Sequence, residues 1–179
     1  MSKKQKKVPP RQVPNRDEYY MGEAFWIASK SKDPRTQVGC RIVGVENDPI
    51  STGYNGPPKK INDNSIDWDR PAKYPFIIHA EDNAIKRAKK KGECLRNATV
   101  YITAPPCKAC MLDLVEAEVS KVVYFRPKTD SGSLLANNEE WTCTQEIARL
   151  GGVQLEQFKG NLNWMRDRIA WMESIGVFE

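Results

Sequence analysis

The sequence predicts one α/β domain with a mixed sheet and helices on both of its faces. Three observations support this fold class: a β-hairpin pattern near the start, a later alternation of helix and strand patterns, and a chain long enough for one buried core. The protein has 179 residues, of which 40% are hydrophobic and 28% are charged. This composition is typical of globular proteins and argues against wholesale disorder.

The first half of the chain predicts a leader, a helix and a hairpin. Residues 1–14 contain three prolines and a run of lysines, so we expect a flexible basic leader before a single domain over 15–179. Apolar residues at helical spacing predict a helix from Asn15 or Asp17 to about Ala28. Alternating residues on either side of an Asn-Asp-Pro turn predict a β-hairpin. The expected hairpin strands are residues 38–45 and 50–54, and residues 55–75 are expected to form a long loop.

The second half alternates between helix and strand patterns, as in a sheet with helices packed against it. Pro105 and Pro106 stand at the start of a predicted helix from about Cys107, where proline costs no hydrogen bond. Gly92 and the pair Gly151-Gly152 are typical residues for helix ends. The predicted helices are residues 79–91, 107–118, 138–150 and 161–174, the last being an extra C-terminal helix, and the predicted strands are residues 98–103, 119–125 and 153–158.

The net charge of +5 comes from one end of the chain. Residues 1–11 hold five of the 28 basic residues and no acid, which leaves 23 basic and 23 acidic residues in the rest. A neutral body with a basic tail does not predict a nucleic-acid-binding domain. The sequence shows no signal peptide and no apolar run of about 18 residues, the length that a membrane span needs. We therefore expect a cytoplasmic protein, in a host cytoplasm if the chain is viral, with neither a membrane nor a nucleic acid as partner.

Three residues predict a metal site. His79 is the only histidine, and Cys107 and Cys110 are spaced i, i+3 at the start of a predicted helix, so both thiols can reach one ion. The positive end of that helix lowers thiol pKa values and favours the ligating thiolates. Two thiolates and one imidazole suit zinc, and three protein ligands leave a fourth position for water, as in catalytic zinc sites.

Glu81 follows the histidine by two residues and is placed to take a proton from such a water and pass it to a leaving amine. The combined pattern H-x-E…P-C-x-x-C is a known signature of zinc-dependent nucleobase deaminases. Two other interpretations remain open. A fourth ligand from Cys40, Cys94 or Cys143 would close the site, and a C-x-x-C pair alone is also found in structural and redox sites.

On these motifs the chain resembles the deoxycytidylate (dCMP) deaminase family, within the cytidine deaminase superfamily. The resemblance covers most of residues 16–158. It implies a cytidine-deaminase-like three-layer αβα sandwich with a five-stranded sheet, one Zn²⁺ ion per chain, and hydrolysis of dCMP to dUMP and ammonia for thymidylate synthesis. Besides the zinc motifs, it rests on Ser31-Lys32-Asp33-Pro34, Thr36-Gln37-Val38-Gly39, Gly53-Tyr54-Asn55-Gly56-Pro57, Lys73-Tyr74-Pro75 and Asn83-Ala84-Ile85.

The resemblance also implies substrate contacts and regulation. Asn55 would hydrogen-bond the sugar, and the backbone N–H of Ala80 would bind the cytosine carbonyl. The family forms hexamers that dCTP activates and dTTP inhibits, so a homohexamer and these effectors, with Mg²⁺ on the effector triphosphate, are expected. The effector region would include Gly53, Tyr54, Asn55 and Gly56, although the two glycines are also expected simply because they flank a turn.

Phosphate recognition is less clear in the sequence. Lys32 and Arg35 are candidate phosphate donors, and each would otherwise be a solvated surface charge. Lys128 stands where the family usually has a tyrosine that packs on the base, so it is a candidate phosphate or base contact. The alternatives left open are a 5-substituted dCMP or another nucleotide as substrate, and a catalytically idle fold that senses nucleotides.

Overall fold

The computed structural model describes residue 11 and residues 13–126 and 138–178. In this part of the chain, five strands and five helices are present. The strands are β1 (Gly39–Val43), β2 (Pro49–Tyr54), β3 (Thr99–Ile102), β4 (Lys121–Tyr124) and β5 (Gln154–Gln157), and the helices are α1 (Arg16–Ala28), α2 (Ala80–Lys91), α3 (Lys108–Glu116), α4 (Asn138–Leu150) and α5 (Asn163–Ser174).

The strands form one mixed sheet in the order β2-β1-β3-β4-β5. The hairpin strands β1 and β2 are antiparallel, and β1 also pairs antiparallel with β3. β3, β4 and β5 are mutually parallel, as expected for strands joined by helices. The predicted five-stranded mixed sheet is therefore confirmed.

Alternate residues of the central strands face two separate cores. Val100 and Ile102 of β3 pack in the larger core together with buried residues of α2, α3 and α4. Tyr101 lies between them in sequence and faces the smaller core, with Met21 and Ala24 of α1. Since α1 covers one face and α2 to α4 the other, the predicted helices on both faces are confirmed.

The beginning of α1 is fixed by a capping box. The Asn15 side chain accepts a hydrogen bond from the Glu18 N–H at 2.9 Å, and the Glu18 carboxylate accepts one from the Asn15 N–H at 3.1 Å. This reciprocal pair satisfies backbone donors that the first turn leaves free. The helix begins at Arg16 with Asn15 as its capping residue, between the two predicted starts, Asn15 and Asp17.

The C-terminal helix α5 packs on α1 through Trp164. Its indole N–H donates to the Glu18 carbonyl at 3.3 Å, and its ring stacks on Tyr19 with centroids 6.0 Å apart. Gly22 makes room for the indole, because a Cβ at this position would lie 2.4 Å from a Trp164 ring carbon. The expected extra helix is thus present after β5.

Some boundaries differ from the sequence prediction for physical reasons. β2 begins at Pro49 itself, since β2 is an edge strand and proline is tolerated at its first residue. α3 begins at Lys108, one residue after the predicted start, because Cys107 is the capping residue, and Pro105 and Pro106 precede the helix. The long loop over 55–75 contains a 3-10 turn at Asp63–Ser65 and leads into a second one at Tyr74–Phe76.

Gly53 allows α2 to approach β2, and Gly53→Ala is expected to destabilise the protein. An added Cβ would lie 2.0 Å from the Ala80 carbonyl oxygen and 2.6 Å from the Ala84 nitrogen, so the helix would have to move. Overpacking of this kind costs about 1–3 kcal/mol or more. For a chain of this size, we expect the Tm to fall by roughly 5 °C or more in a thermal melt.

Gly56→Ala is the matched control for this prediction. A Cβ at Gly56 meets no atom within 4 Å, so its Tm should stay close to that of the parent protein. Equal melting temperatures for Gly53→Ala and Gly56→Ala would contradict the packing argument. Neither glycine has a positive φ. The requirement at Gly53 is therefore close approach of a helix, and the expected turn does not explain it.

Within residues 13–126 and 138–178, the model has no helix of the length and apolar character needed to cross a lipid bilayer.

Candidate active site

Two helices begin side by side at the site, each directly after a predicted zinc ligand. His79 is the residue before the first turn of α2, and Cys107 holds the same position at α3. The segment before α2 is fixed to the end of β2, because Gly56 and Ile78 exchange two backbone hydrogen bonds of 3.0 Å. The Cys107 sulfur accepts the N–H of Cys110 at 3.5 Å, which caps α3.

The three predicted ligand atoms lie at the distances that zinc requires. His79 Nδ1 is 3.5 Å from Cys107 Sγ and 3.4 Å from Cys110 Sγ. Tetrahedral zinc with bonds of about 2.0 Å to nitrogen and 2.3 Å to sulfur would hold these atoms about 3.6 Å apart. The donor set and its spacing therefore fit Zn²⁺.

The other cysteines do not join this group. In the described residues, the cluster able to hold a metal consists of His79, Cys107 and Cys110. Cys94 and Cys143 are exposed free thiols, and Cys40 is buried without belonging to the cluster. The group thus offers three possible protein ligands, which is the number found in catalytic zinc sites.

Hydrogen bonds among the three predicted ligands shift their pKa values in opposite directions. A hydrogen bond from the Cys110 thiol, reinforced by the His79 ring, lowers the pKa of Cys107 to about 4. The hydrogen bond to Cys107 raises the pKa of His79 to about 9, against the effect of burial. The Cys110 pKa is raised, because Cys110 donates to Cys107 and is buried. Since zinc takes thiolates and a neutral ring, its binding releases protons here.

Glu81 lies on the buried face of α2 and is 3% exposed. Burial raises its pKa to about 7, although the positive charge of His79 acts in the opposite direction. A carboxyl group with a pKa near neutrality can both accept and return a proton at physiological pH. This is the property that the sequence analysis expects of the proton carrier.

Comparisons with known proteins agree with this geometry. Residues 14–126 match the family model of the cytidine and deoxycytidylate deaminase zinc-binding region. The deoxycytidylate deaminases of Mus musculus and Homo sapiens are 34% and 33% identical over 147 residues, which is 79% of this chain and 78% of theirs. The chain belongs to the deoxycytidylate deaminase family.

A solved structure of this family has the same fold. The dCMP deaminase of the cyanophage S-TIM5, crystallised in complex with dCMP and dUMP, is 25% identical to this family member, with a TM-score of 0.66. The match covers 83% of this chain and 100% of that one. The predicted fold class and family resemblance are confirmed.

Asn55 is connected to the predicted zinc ligand His79 through one backbone bridge and already has structural partners. Asn55 directly precedes Gly56, and His79 directly follows Ile78, with which Gly56 is paired. Its side-chain oxygen accepts the Val38 N–H and its amide donates to the Thr36 carbonyl, each at 2.8 Å. An amide group offers two donors and a carbonyl that accepts twice, so one donor and one lone pair remain for a ligand.

Tyr54 of the expected effector segment contacts α2, and Ala80, the expected base contact, is the first residue of α2. The Tyr54 carbonyl accepts a hydrogen bond from the Asn83 amide at 2.9 Å, and the Tyr54 ring lies 5.2 Å below the Arg87 guanidinium. The N–H of Ala80 is in the first turn of α2, where backbone donors have no acceptor within the helix. It is thus available to a ligand carbonyl.

The candidate phosphate contacts are engaged with acids of the long loop. Lys32 forms an exposed ion pair with Asp63, and Arg35 forms another with Asp69 at 2.5 Å. A phosphate at either cation would have to compete with these carboxylates. Lys128 lies outside the described residues.

A buried ion pair, Asp33–Lys73, includes the neighbour of Lys32 and was not expected from the sequence. Asp33 and Lys73 belong to two segments of the family resemblance, yet the exposed Lys32 and Arg35 were expected to be the important charges. The structure buries both Asp33 and Lys73, each 2% exposed. The sequence offered one signal for this pair: an acid, Asp33, and a base, Lys73, lie in two separate segments of the family resemblance.

Proposed function

We propose that this deaminase hydrolyses dCMP to dUMP and ammonia, with a zinc ion held by His79, Cys107 and Cys110. One observation carries the proposal: the buried Glu81 carboxyl lies on the same helix start as a three-ligand metal group of the correct spacing. A structural zinc site would have four protein ligands and would not need a buried acid beside it.

The protein residues have separate tasks in this reaction. Bound zinc would supply a Lewis acid that lowers the pKa of the attacking water to about 7. Glu81 accepts a proton from that water and passes it to the ring nitrogen N3, and it then transfers the remaining hydroxyl proton to the 4-amino group, which leaves as ammonia. The Ala80 N–H donates to the carbonyl oxygen of the base, and the free capacity of Asn55 binds the deoxyribose.

Two findings favour dCMP as the substrate. The mouse and human relatives are deoxycytidylate deaminases, and the phage relative was solved with dCMP and dUMP. We propose that this reaction supplies dUMP for thymidylate synthesis in the cytoplasm.

We also propose that dCTP activates the enzyme and dTTP inhibits it, each with Mg²⁺, in a homohexamer. Residues Gly53 to Gly56 would form part of the effector site. The contacts of Tyr54 with Asn83 and Arg87 support this, because an effector at this segment would act directly on the helix that carries Glu81.

The test is ammonia release from a substrate panel: dCMP, 5-methyl-dCMP, 5-hydroxymethyl-dCMP, CMP, dCTP, deoxycytidine and a cytosine-containing oligonucleotide. We expect dCMP to have the highest kcat/KM, with dCTP increasing and dTTP decreasing its turnover. A higher kcat/KM for a 5-substituted dCMP would contradict dCMP as the substrate. A zinc-loaded protein that deaminates none of them would contradict deamination and favour a nucleotide-sensing role.

A further inference from the structure

Asp33 and Lys73 form an ion pair that is almost completely removed from solvent. The Lys73 ammonium donates to both Asp33 carboxylate oxygens, at 2.7 and 2.5 Å, and each side chain is 2% exposed. Taking two charges out of water is costly, so stability alone does not explain such a pair.

The Asp33 carboxylate is also bonded to its own loop. It accepts the backbone N–H groups of Arg35 and Thr36 at 2.9 and 3.0 Å. Burial alone would raise the pKa of Asp33, but the bonds from Lys73 and these two N–H groups keep it below its ordinary value. The carboxylate is therefore ionised at neutral pH and fixed in direction.

On one side, the pair is connected to Asn55. The loop of Asp33 continues through Thr36 and Val38, and the Asn55 side chain is hydrogen-bonded to both of these residues. Ser31, before Asp33, donates to the Asn55 carbonyl at 2.8 Å. The orientation of the Asn55 amide thus depends on where this loop lies.

On the other side, the pair is connected to the start of α2. The chain runs from Lys73 through a 3-10 turn to Ile78, which pairs with Gly56, and then to His79. The Asp33–Lys73 contact joins the loop of Asp33 to the 73–78 segment. Because Asn55 is bonded to the first and its neighbour Gly56 is paired with Ile78 of the second, these contacts form a closed frame around Asn55.

We propose that Asp33 and Lys73 are positioning residues that hold Asn55 and the 73–78 segment in place for the nucleotide. They act on substrate affinity and not on the chemical step. This inference rests on the proposed function, since it takes the nucleotide to bind beside Asn55. The zinc ligands do not depend on the pair, because α2 is independently packed on β2 at Gly53.

The test is the double variant Asp33→Asn, Lys73→Met. It leaves no unpaired buried charge, and asparagine keeps an acceptor for the two loop N–H groups, so the chain should fold. We expect the KM for dCMP to rise about tenfold, with kcat within about twofold and one zinc per chain. An unchanged KM, or a fall in kcat at constant KM, would overturn the proposal.

Lys121→Met is the matched control. This substitution breaks the 2.6 Å ion pair between Lys121 and Glu156. Lys121 lies at the end of β4 that is remote from the site. Its KM should equal that of the parent protein. A tenfold rise here as well would show that loss of any such ion pair disturbs the site, and would overturn the specific role of Asp33 and Lys73.

Hydrogen exchange gives a measurement that does not depend on catalysis. The backbone N–H groups of Gly56 and Ile78 should exchange about tenfold faster in the double variant than in the parent or in Lys121→Met. If the parent does not deaminate dCMP, the proposed function fails, but this comparison still tests the frame. Equal exchange at these two amides would overturn the positioning role.

Discussion

Glu81→Gln should lower kcat for dCMP deamination by about three orders of magnitude, because proton transfer by a positioned group contributes roughly 10²–10⁴-fold. Glutamine keeps the shape of the side chain but cannot carry a proton between the water and the amine. The zinc ligands are unchanged, so one zinc per chain should remain. The measurements are steady-state ammonia release and metal content.

Glu116→Gln is the control for this prediction. Glu116 is an exposed residue in the last turn of α3, so the same chemical change there should leave kcat within about twofold. A Glu81→Gln protein with near-parental kcat would remove Glu81 from the mechanism. Loss of zinc from Glu81→Gln would instead indicate a structural effect.

Cys107→Ser and Cys110→Ser are each expected to remove both zinc and activity. A serine hydroxyl does not ionise near neutral pH, so each variant keeps only two good zinc ligands. Serine is a favoured helix-capping residue and can still accept the Cys110 N–H from position 107, so Cys107→Ser should retain its secondary structure. We expect bound zinc to fall from one per chain to less than about a tenth.

Cys143→Ser tests whether this loss is specific. Cys143 is an exposed free thiol on α4, outside the metal cluster, and its replacement should change neither zinc content nor turnover. Full zinc occupancy in Cys107→Ser or Cys110→Ser would contradict the three-ligand site. Zinc loss from Cys143→Ser would do the same.

The features that could be predicted from the sequence are those that a local pattern of residues determines. Asn15 and Glu18 form a capping box within four residues, and the helix begins there. The grouping of the three predicted zinc ligands also depends on local features, because His79 and Cys107 each precede a helix and Cys110 follows one turn later. Their convergence then follows from the fold of the family.

The contacts that sequence reasoning did not find are between distant residues. Lys73 is 40 positions from Asp33, and lysine is among the residues least often buried, so nothing local predicts their pairing. Asn55 could be linked to the nucleotide by resemblance, but its bonds to Thr36 and Val38 are visible only in the structure.

The expected phosphate contacts show a related difficulty. Lys32 and Arg35 were selected as basic residues near the site, yet both pair with carboxylates of the long loop. A sequence gives the charge of a side chain but not the partner that neutralises it. Their role in phosphate binding stays a prediction.

The most direct test of the central claim is ammonia release from dCMP by the zinc-loaded protein, with dUMP measured in the same reaction. We expect equal amounts of dUMP and ammonia, and we expect turnover to disappear in Glu81→Gln while zinc remains bound. A protein with one zinc per chain that forms no dUMP from dCMP would contradict it.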